Sequence, residues 1–534
     1  MAPSYNWPPA SLAKAINRHP VLRPLQKRRG ILALVVLVLV MVALALGLGL
    51  GLGLKHHPGR YASAHCSDES GKYQLESIAA PVVGYGNPGP AANTWNLTVD
   101  DTISGYKQII RGFGATVTDA TVESFNNQTD SSLENLLNFL LTDTGANFSL
   151  MRHTIGASDL SPVTYTYDDN DGKPDEDLSA FSLGEYGTAM AKLLAQMKQI
   201  KPDMQIVGSS WSAPGWMKLN GDLADDSSHN YLNDGWFTSG GVGSTGYSSS
   251  FAQYFVKYIQ AYQGLGAKID AISIQNEPLN TQAGYPTMYV HANESAKLIG
   301  DHVGPALKSA GLNTTVWTFD DNTDNAYYPQ TVLDYAEEFV SAVAWHCYAS
   351  PADWTVLTDF HEQNPNTEQY MTECWTSASL NWTHAARFTM GPLQNWANGV
   401  TAWTLGADEG GGPHLGSGGC DSCDGLVTIN KSSQYDFNIA YYMMAQFSKY
   451  IPPGARILQG NGSYTASNGN GIQSVASLNP DGSRTVVIEN TFGHDVFVTV
   501  DFISGDTWSG DVPSSSVTTW VLPGQGLFPY STEN

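Results

Sequence analysis

The chain has 534 residues, 42% of them apolar, and a formal net charge of −24. Its first thirty residues carry six basic side chains (Lys14, Arg18, Arg23, Lys27, Arg28 and Arg29) and no acid, which leaves the remainder with 20 Lys and Arg against 50 Asp and Glu, a balance of −30. A surface of that sign repels nucleic acid and anionic polymers, excludes them as partners, and is compatible with a neutral ligand.

Ile31 to Leu54 holds no charge. As a helix it would span roughly 36 Å, enough for a bilayer with some tilt, and it exceeds the apolar core of a cleaved signal peptide. Lys27-Arg28-Arg29 precede it, so the positive-inside rule keeps residues 1–30 in the cytosol and sends the rest across. The sequence therefore predicts a basic tail (1–30), a transmembrane signal anchor (31–54) as its one membrane contact, and a polar stalk (55–75). Eight Asn-x-Ser/Thr sequons, at Asn96, Asn127, Asn147, Asn293, Asn313, Asn381, Asn430 and Asn461, fit a translocated domain. Five cysteines are too few for a disulfide scaffold. In an oxidising compartment Cys420 and Cys423 read as a short local disulfide. Cys347 and Cys374 lie in apolar runs and read as core thiols.

Residues 76–110 contain β-like runs such as Trp95-Asn96-Leu97-Thr98-Val99. Beyond them apolar segments at 111–117, 147–156, 204–213, 271–278, 313–322, 340–349, 368–375 and 399–409 read as strands. Between them Leu133, Leu136, Leu137, Leu140 and Leu141 keep helical spacing, as do Met190, Leu193, Leu194 and Met197, and Phe251, Phe255, Tyr258, Ile259 and Tyr262. Eight strands alternating with helices predict an α/β fold, a (β/α)8 barrel over 111–455. No glycine-rich phosphate loop supports an open doubly wound sheet, and no cofactor is expected. From 456 to 534 Gly, Ser, Asn and Thr dominate around alternating runs, with a turn at Asn479-Pro480-Asp481-Gly482, so a small antiparallel β-sandwich is predicted there. The strands of 76–110 are expected to join it.

Reactive groups of such a barrel sit at the C-terminal strand ends. Glu277 closes the fourth expected strand, within Ile274-Gln275-Asn276-Glu277-Pro278, and Glu373 the seventh, within Met371-Thr372-Glu373-Cys374-Trp375. Paired carboxylates at one mouth suit glycoside hydrolysis, where one protonates the leaving oxygen and the other attacks or activates water. Asn276 is placed to hydrogen-bond a sugar hydroxyl. The chemistry needs no metal, and no His/Asp cluster at ligand spacing suggests one.

The chain resembles glycoside hydrolase family 30, the group of glucosylceramidases and fungal endo-β-1,6-glucanases. The likeness runs from about Trp95 to about Leu522. It rests on Arg111-Gly112-Phe113-Gly114-Ala115-Thr116-Val117-Thr118-Asp119-Ala120, Tyr165-Thr166-Tyr167-Asp168-Asp169, Trp211-Ser212-Ala213-Pro214-Gly215-Trp216, Gln275-Asn276-Glu277-Pro278, Trp345-His346-Cys347-Tyr348, Thr372-Glu373 and Phe447-Ser448-Lys449-Tyr450-Ile451-Pro452. The resemblance implies a retaining mechanism with Glu277 as acid/base and Glu373 as nucleophile. It also implies sugar binding by Asp119, Arg152, Trp211, His346, Tyr348 and Trp403. The loop from Thr404 to Ile429 is similar to the endoglucanase branch, so a neutral β-1,6-glucan is the expected substrate. Glucosylceramide, β-1,6-galactan, and an inactive glycan-binding protein of the cell wall are the alternatives.

Overall fold

The computed structural model describes residues 61–87, 94–237, 246–350, 352–377, 381–430 and 434–524. The expected anchor at 31–54 lies outside them. Among the described residues no helix is long and apolar enough to cross a membrane.

Eight parallel strands close into a barrel. They are β1 (Gly112–Val117), β2 (Leu150–Ile155), β3 (Gln205–Ser210), β4 (Ala271–Ser273), β5 (Thr315–Asn322), β6 (Val340–His346), β7 (Glu368–Glu373) and β8 (Gly399–Ala402). All eight fall within the expected segments. Helices separate them, among them Asp130–Leu141, Gly184–Ile200 and Ser248–Gly264. The Asp130–Leu141 helix starts where the Thr129 side chain accepts from the Ser132 amide, the usual N-cap device. Leu136, Leu137, Leu140 and Leu141 then bury its inner face, at about 1.5–3 kcal/mol for each side chain.

Two strands are shorter than expected. β4 ends at Ser273, and residues 274–278 turn across the barrel mouth. β8 ends at Ala402, and Gly406–Asp408 leaves the barrel to pair with Val427–Asn430 in a separate three-stranded sheet.

The second layer is a two-sheet sandwich with its own core of Leu97, Val99, Leu458, Val486, Ile488, Val498, Val500, Trp508 and Trp520. Strand Arg456–Asn461 belongs to both sheets. Its first half pairs with Gly471–Leu478 and its second half with Thr94–Asp100, the manner in which a strand makes a sandwich corner. The pairing is antiparallel except that Val496–Phe502 runs parallel to Thr94–Asp100. Residues 63–68, expected in the 55–75 stalk, form a strand of this sandwich, and so do residues 74–78, which straddle the expected end of that stalk. Ser63–Asp68 pairs with Ser516–Leu522 on one side and Gln74–Ile78 on the other. Its alternating buried residues, Ala64 and Cys66, supply the apolar face that a stalk would lack. The sandwich is tied to the barrel by Gln446, which donates to Ser67 Oγ at 2.8 Å, and by Thr519, which donates to the Gln446 carbonyl at 2.7 Å.

The cysteines follow the strand register. β6 and β7 pair His346 with Glu373, which sets Cys347 beside Cys374 at a Cα separation of 5.4 Å. They form a disulfide and not the two core thiols expected, because parallel neighbours bring positions 27 apart in sequence into one row. Cys420 and Cys423 are bonded as expected, and Cys66 is a buried free thiol.

Candidate active site

The C-terminal ends of β2, β3, β4, β6, β7 and β8 converge on one cleft of about 380 Å³. Trp211, Asn276, Glu277, Tyr348, Glu373 and Trp403 line it together with Asp159, Asn280, Tyr285, Trp375 and the Cys420–Cys423 pair. The sequence brought forward the first six and, as a disulfide, the cysteine pair; Asp159, Asn280, Tyr285 and Trp375 come from loops whose course the sequence pattern does not show.

Glu373 is the last residue of β7 and is buried. Arg152, on β2, donates to its Oε2 at 2.8 Å, and the Tyr348 hydroxyl donates to its Oε1 at 3.0 Å. Glu277 follows the short β4 with φ at +45°, a left-handed conformation that costs a non-glycine residue energy. Its amide donates to the Asp320 carbonyl at 2.9 Å, which holds the turn. Asn280 donates to Glu277 Oε2 at 2.8 Å, and His346 Nδ1 lies 3.4 Å from Oε1. Carboxylate oxygens of Glu277 and Glu373 and a nitrogen of His346 all lie within 4.8 Å of one another. The two carboxyls are therefore close enough for direct attack, not spaced to hold a water between them as inversion requires.

Beneath the pair sits Asp320, a residue the sequence reading did not single out. The register of β5 against β6 slips between Phe319 and Asp321, and both Phe319 and Asp320 have positive φ. This bulge aims Asp320 inward. It accepts from Arg152 at 3.0 Å, Ser209 at 2.5 Å and Thr372 at 2.7 Å, and its Oδ1 lies 3.0 Å from His346 Nε2. Arg152 also donates to Asn276 Oδ1 at 2.6 Å, so Asn276 is spent on the arginine as much as on any ligand. The guanidinium lies 5.0 Å from the Trp211 ring centroid and 5.9 Å from that of Trp403, and the two indoles are 5.3 Å apart.

Two cations, Arg152 and His346, thus face three carboxylates, Asp320, Glu277 and Glu373. Burial alone would push His346 down. The Glu373 charge and the hydrogen bonds to Asp320 and Glu277 outweigh it and raise His346 to about 10, so it is charged at neutral pH. Burial pushes Asp320 up, but Arg152 and His346 hold it far below the usual carboxylate range. Burial also raises Glu373, and the opposing charges of His346 and Arg152 do not fully cancel it. For Glu277 burial is outweighed by His346, Asn280 and Arg152, and the net shift is downward. Two positive charges thus face three negative ones, and a proton taken up there belongs to the coupled pair more than to either residue.

Metal-ligand spacing occurs twice among the described residues. In Glu277–His346–Glu373 the Glu373 oxygen is already paired with Arg152 and His346 Nε2 with Asp320. In Asp159–Cys420–Cys423 the sulfurs are joined in a disulfide and offer no thiolate.

Asp119 opens the Asp119–Asn126 helix, capped by Thr118, and is buried with both carboxylate oxygens engaged. Ser161 donates to Oδ2 at 2.5 Å and Tyr165 reaches both oxygens at 3.0 and 3.1 Å. It borders a neighbouring depression with Val122, Glu123 and Tyr186.

Comparison with known proteins agrees with this geometry. A family model described as the glycosyl hydrolase family 30 TIM-barrel domain matches residues 110–451, and the family 30 beta sandwich domain matches residues 461–520. The chain is 66% identical over 463 residues to endo-1,6-beta-D-glucanase neg1 of Aspergillus fumigatus, covering 86% of this chain and 94% of that protein. It is 28% identical over 415 residues to the lysosomal acid glucosylceramidase of Mus musculus, covering 74% of this chain and 77% of that one. Among solved structures it superposes on the endo-beta1,6-glucanase BT3312 with a TM-score of 0.74 and 26% identity, over 87% of this chain and 99% of the other.

Proposed function

The chain belongs to glycosyl hydrolase family 30, and on that premise we propose that it is a retaining endo-β-1,6-glucanase acting on a neutral glucan. The spacing of Glu277 and Glu373 carries the reaction class; the 66% identity to an endo-1,6-beta-D-glucanase carries the linkage. Glu373, oriented by Arg152 and Tyr348, attacks the anomeric carbon. Glu277 gives its proton to the departing sugar oxygen, then takes one from the water that releases the glycosyl group. The protein's own groups disfavour a proton on Glu277. A glycosidic oxygen that accepts from Glu277 favours its neutral form, and positive charge growing at the anomeric carbon favours ionised Glu373. Substrate binding thus favours the protonation states that the first step needs. Trp211, Trp375 and Trp403 supply apolar faces on which sugar rings pack.

The N-terminal run 31–54 and the basic cluster before it support a single-pass anchor with the catalytic unit outside the cytosol, held near the cell wall. Asn96, Asn127, Asn293, Asn313, Asn381 and Asn461 are exposed and available for glycosylation. Loss of apparent mass on treatment with an N-glycosidase checks that placement.

The purified protein is to be given linear β-1,6-glucan, β-1,6-galactan and glucosylceramide. Rapid release of medium-length oligosaccharides from the glucan, with the β-anomer appearing first by NMR, is expected. Cleavage of only galactan or glucosylceramide, or an initial α-anomer, overturns the proposal.

A further inference from the structure

Asp159 is the cleft carboxyl for which the chemistry above has no use. It lines the cleft with Glu277, Glu373, Trp211 and Trp403. Around it lies an apolar wall of Leu160, Trp211, Trp403 and Cys423, with Tyr285, Trp375 and Cys420 packed against it. A carboxylate oxygen of Asp159 is within 4.8 Å of both sulfurs of the Cys420–Cys423 disulfide, and disulfide sulfur is a poor hydrogen-bond partner. No described side chain donates to the Asp159 carboxyl, whose hydrogen bonds are to the amides of its own turn. Asp159 is partly exposed to the cleft, so its spare hydrogen-bonding capacity faces the space that a ligand would fill.

The turn that carries Asp159 is rigid. Ser158 accepts from the Leu160 amide at 3.1 Å, and Ser161 accepts from the Ser158 amide at 2.9 Å. The Leu160 carbonyl accepts from the Ala120 amide at 3.0 Å, and the Asp159 carbonyl accepts from the Leu415 amide at 3.0 Å. Ser161 in turn is held by buried Asp119. Asp159, on that turn, lines the cleft.

We propose that Asp159 is a sugar-binding residue, hydrogen-bonding a hydroxyl of a glucose unit next to the scissile bond, with the Cys420–Cys423 disulfide as the apolar backing that fixes it. The inference rests on the β-1,6-glucanase reading. Desolvation by the apolar wall, then the charges of Glu373 and Glu277, push Asp159 upward to about 8, which favours a carboxyl that can donate as well as accept.

The test uses the full chain carrying Glu373→Gln, which binds without turnover, and a β-1,6-linked gluco-oligosaccharide titrated by calorimetry. Adding Asp159→Ala is expected to weaken binding about five- to tenfold, the worth of one neutral hydrogen bond. Asp159→Asn, which keeps a donor and an acceptor in the same volume, is expected to stay within about twofold of the Glu373→Gln parent, given the scatter of such contributions. Unchanged affinity in Asp159→Ala, or equal losses in Asp159→Ala and Asp159→Asn, overturns the role of Asp159 while leaving the glucanase reading intact. Failure of the Glu373→Gln parent itself to bind the oligosaccharide overturns the glucanase reading, and this inference with it.

Discussion

Replacing Arg152 by Met keeps the apolar stem and removes the guanidinium from beneath the cleft. Arg152 is buried and pairs with Asp320 at 3.0 Å and Glu373 at 2.8 Å, partners that are 1% and 7% exposed. Losing one partner of a buried ion pair costs about 3–5 kcal/mol, because the remaining charge is stranded. For the single compact unit that holds barrel and sandwich, melting entropy is roughly 1 kcal/mol/K, so Tm at pH 7 is expected to fall by about 3–5 °C. The sign of the pH dependence follows from Asp320, whose folded pKa is depressed. Its contribution is present above the unfolded carboxylate value and is lost as pH falls toward the folded one. Without Arg152, Asp320 and Glu373 take up protons at higher pH, so the gap in Tm between wild type and variant is expected to narrow between pH 7 and pH 4. Calorimetric scans at the two pH values measure both gaps. A variant as stable as wild type at pH 7, or a gap that widens on acidification, would refute the charge accounting.

His346 is raised to about 10, so its contribution to stability is full below its unfolded value of about 6.5 and is lost as pH rises through about 10. Wild-type Tm should therefore drop between pH 8 and pH 10.5 by more than that of His346→Gln, and parallel curves would remove His346 as the cause. Glu277→Ala should slow glucan hydrolysis by roughly 10²–10⁴-fold, the usual share of general acid–base catalysis, yet cleave an aryl β-glucoside with an acidic phenol with a much smaller loss. Equal losses on both substrates would reject Glu277 as the proton donor. Cys66 is buried and its thiol is pushed up to about 11 by desolvation, so iodoacetamide at pH 8 should label it only after unfolding, as mass spectrometry would show.

Much of this architecture is legible locally. Each barrel strand is an apolar run bounded by polar turns, and each helix keeps a 3.6-residue stripe, since both must bury one face wherever the element ends up. Glu277 and Glu373 are legible as a pair: one carboxylate at a strand end is usually a solvated surface charge, but two at strand ends of one barrel share its mouth. The Cys420–Cys423 bond joins near neighbours in sequence. Residues 63–68 were missed as a strand because their apolar face is short, Ala64 and Cys66 alone, and their partner Ser516–Leu522 lies at the other end of the chain.

Sequence by itself determined the number and order of the barrel strands, the pair of acids and the family. Barrel closure and register decided the rest. Opposing His346 to Glu373 turned Cys347 and Cys374 into a disulfide. A bulge in β5 drove Asp320 under the catalytic pair, and the turn that Asp119 holds through Ser161 brought Asp159 to the cleft. Side-chain direction depends on pairings tens to hundreds of residues apart, and a local pattern does not carry them.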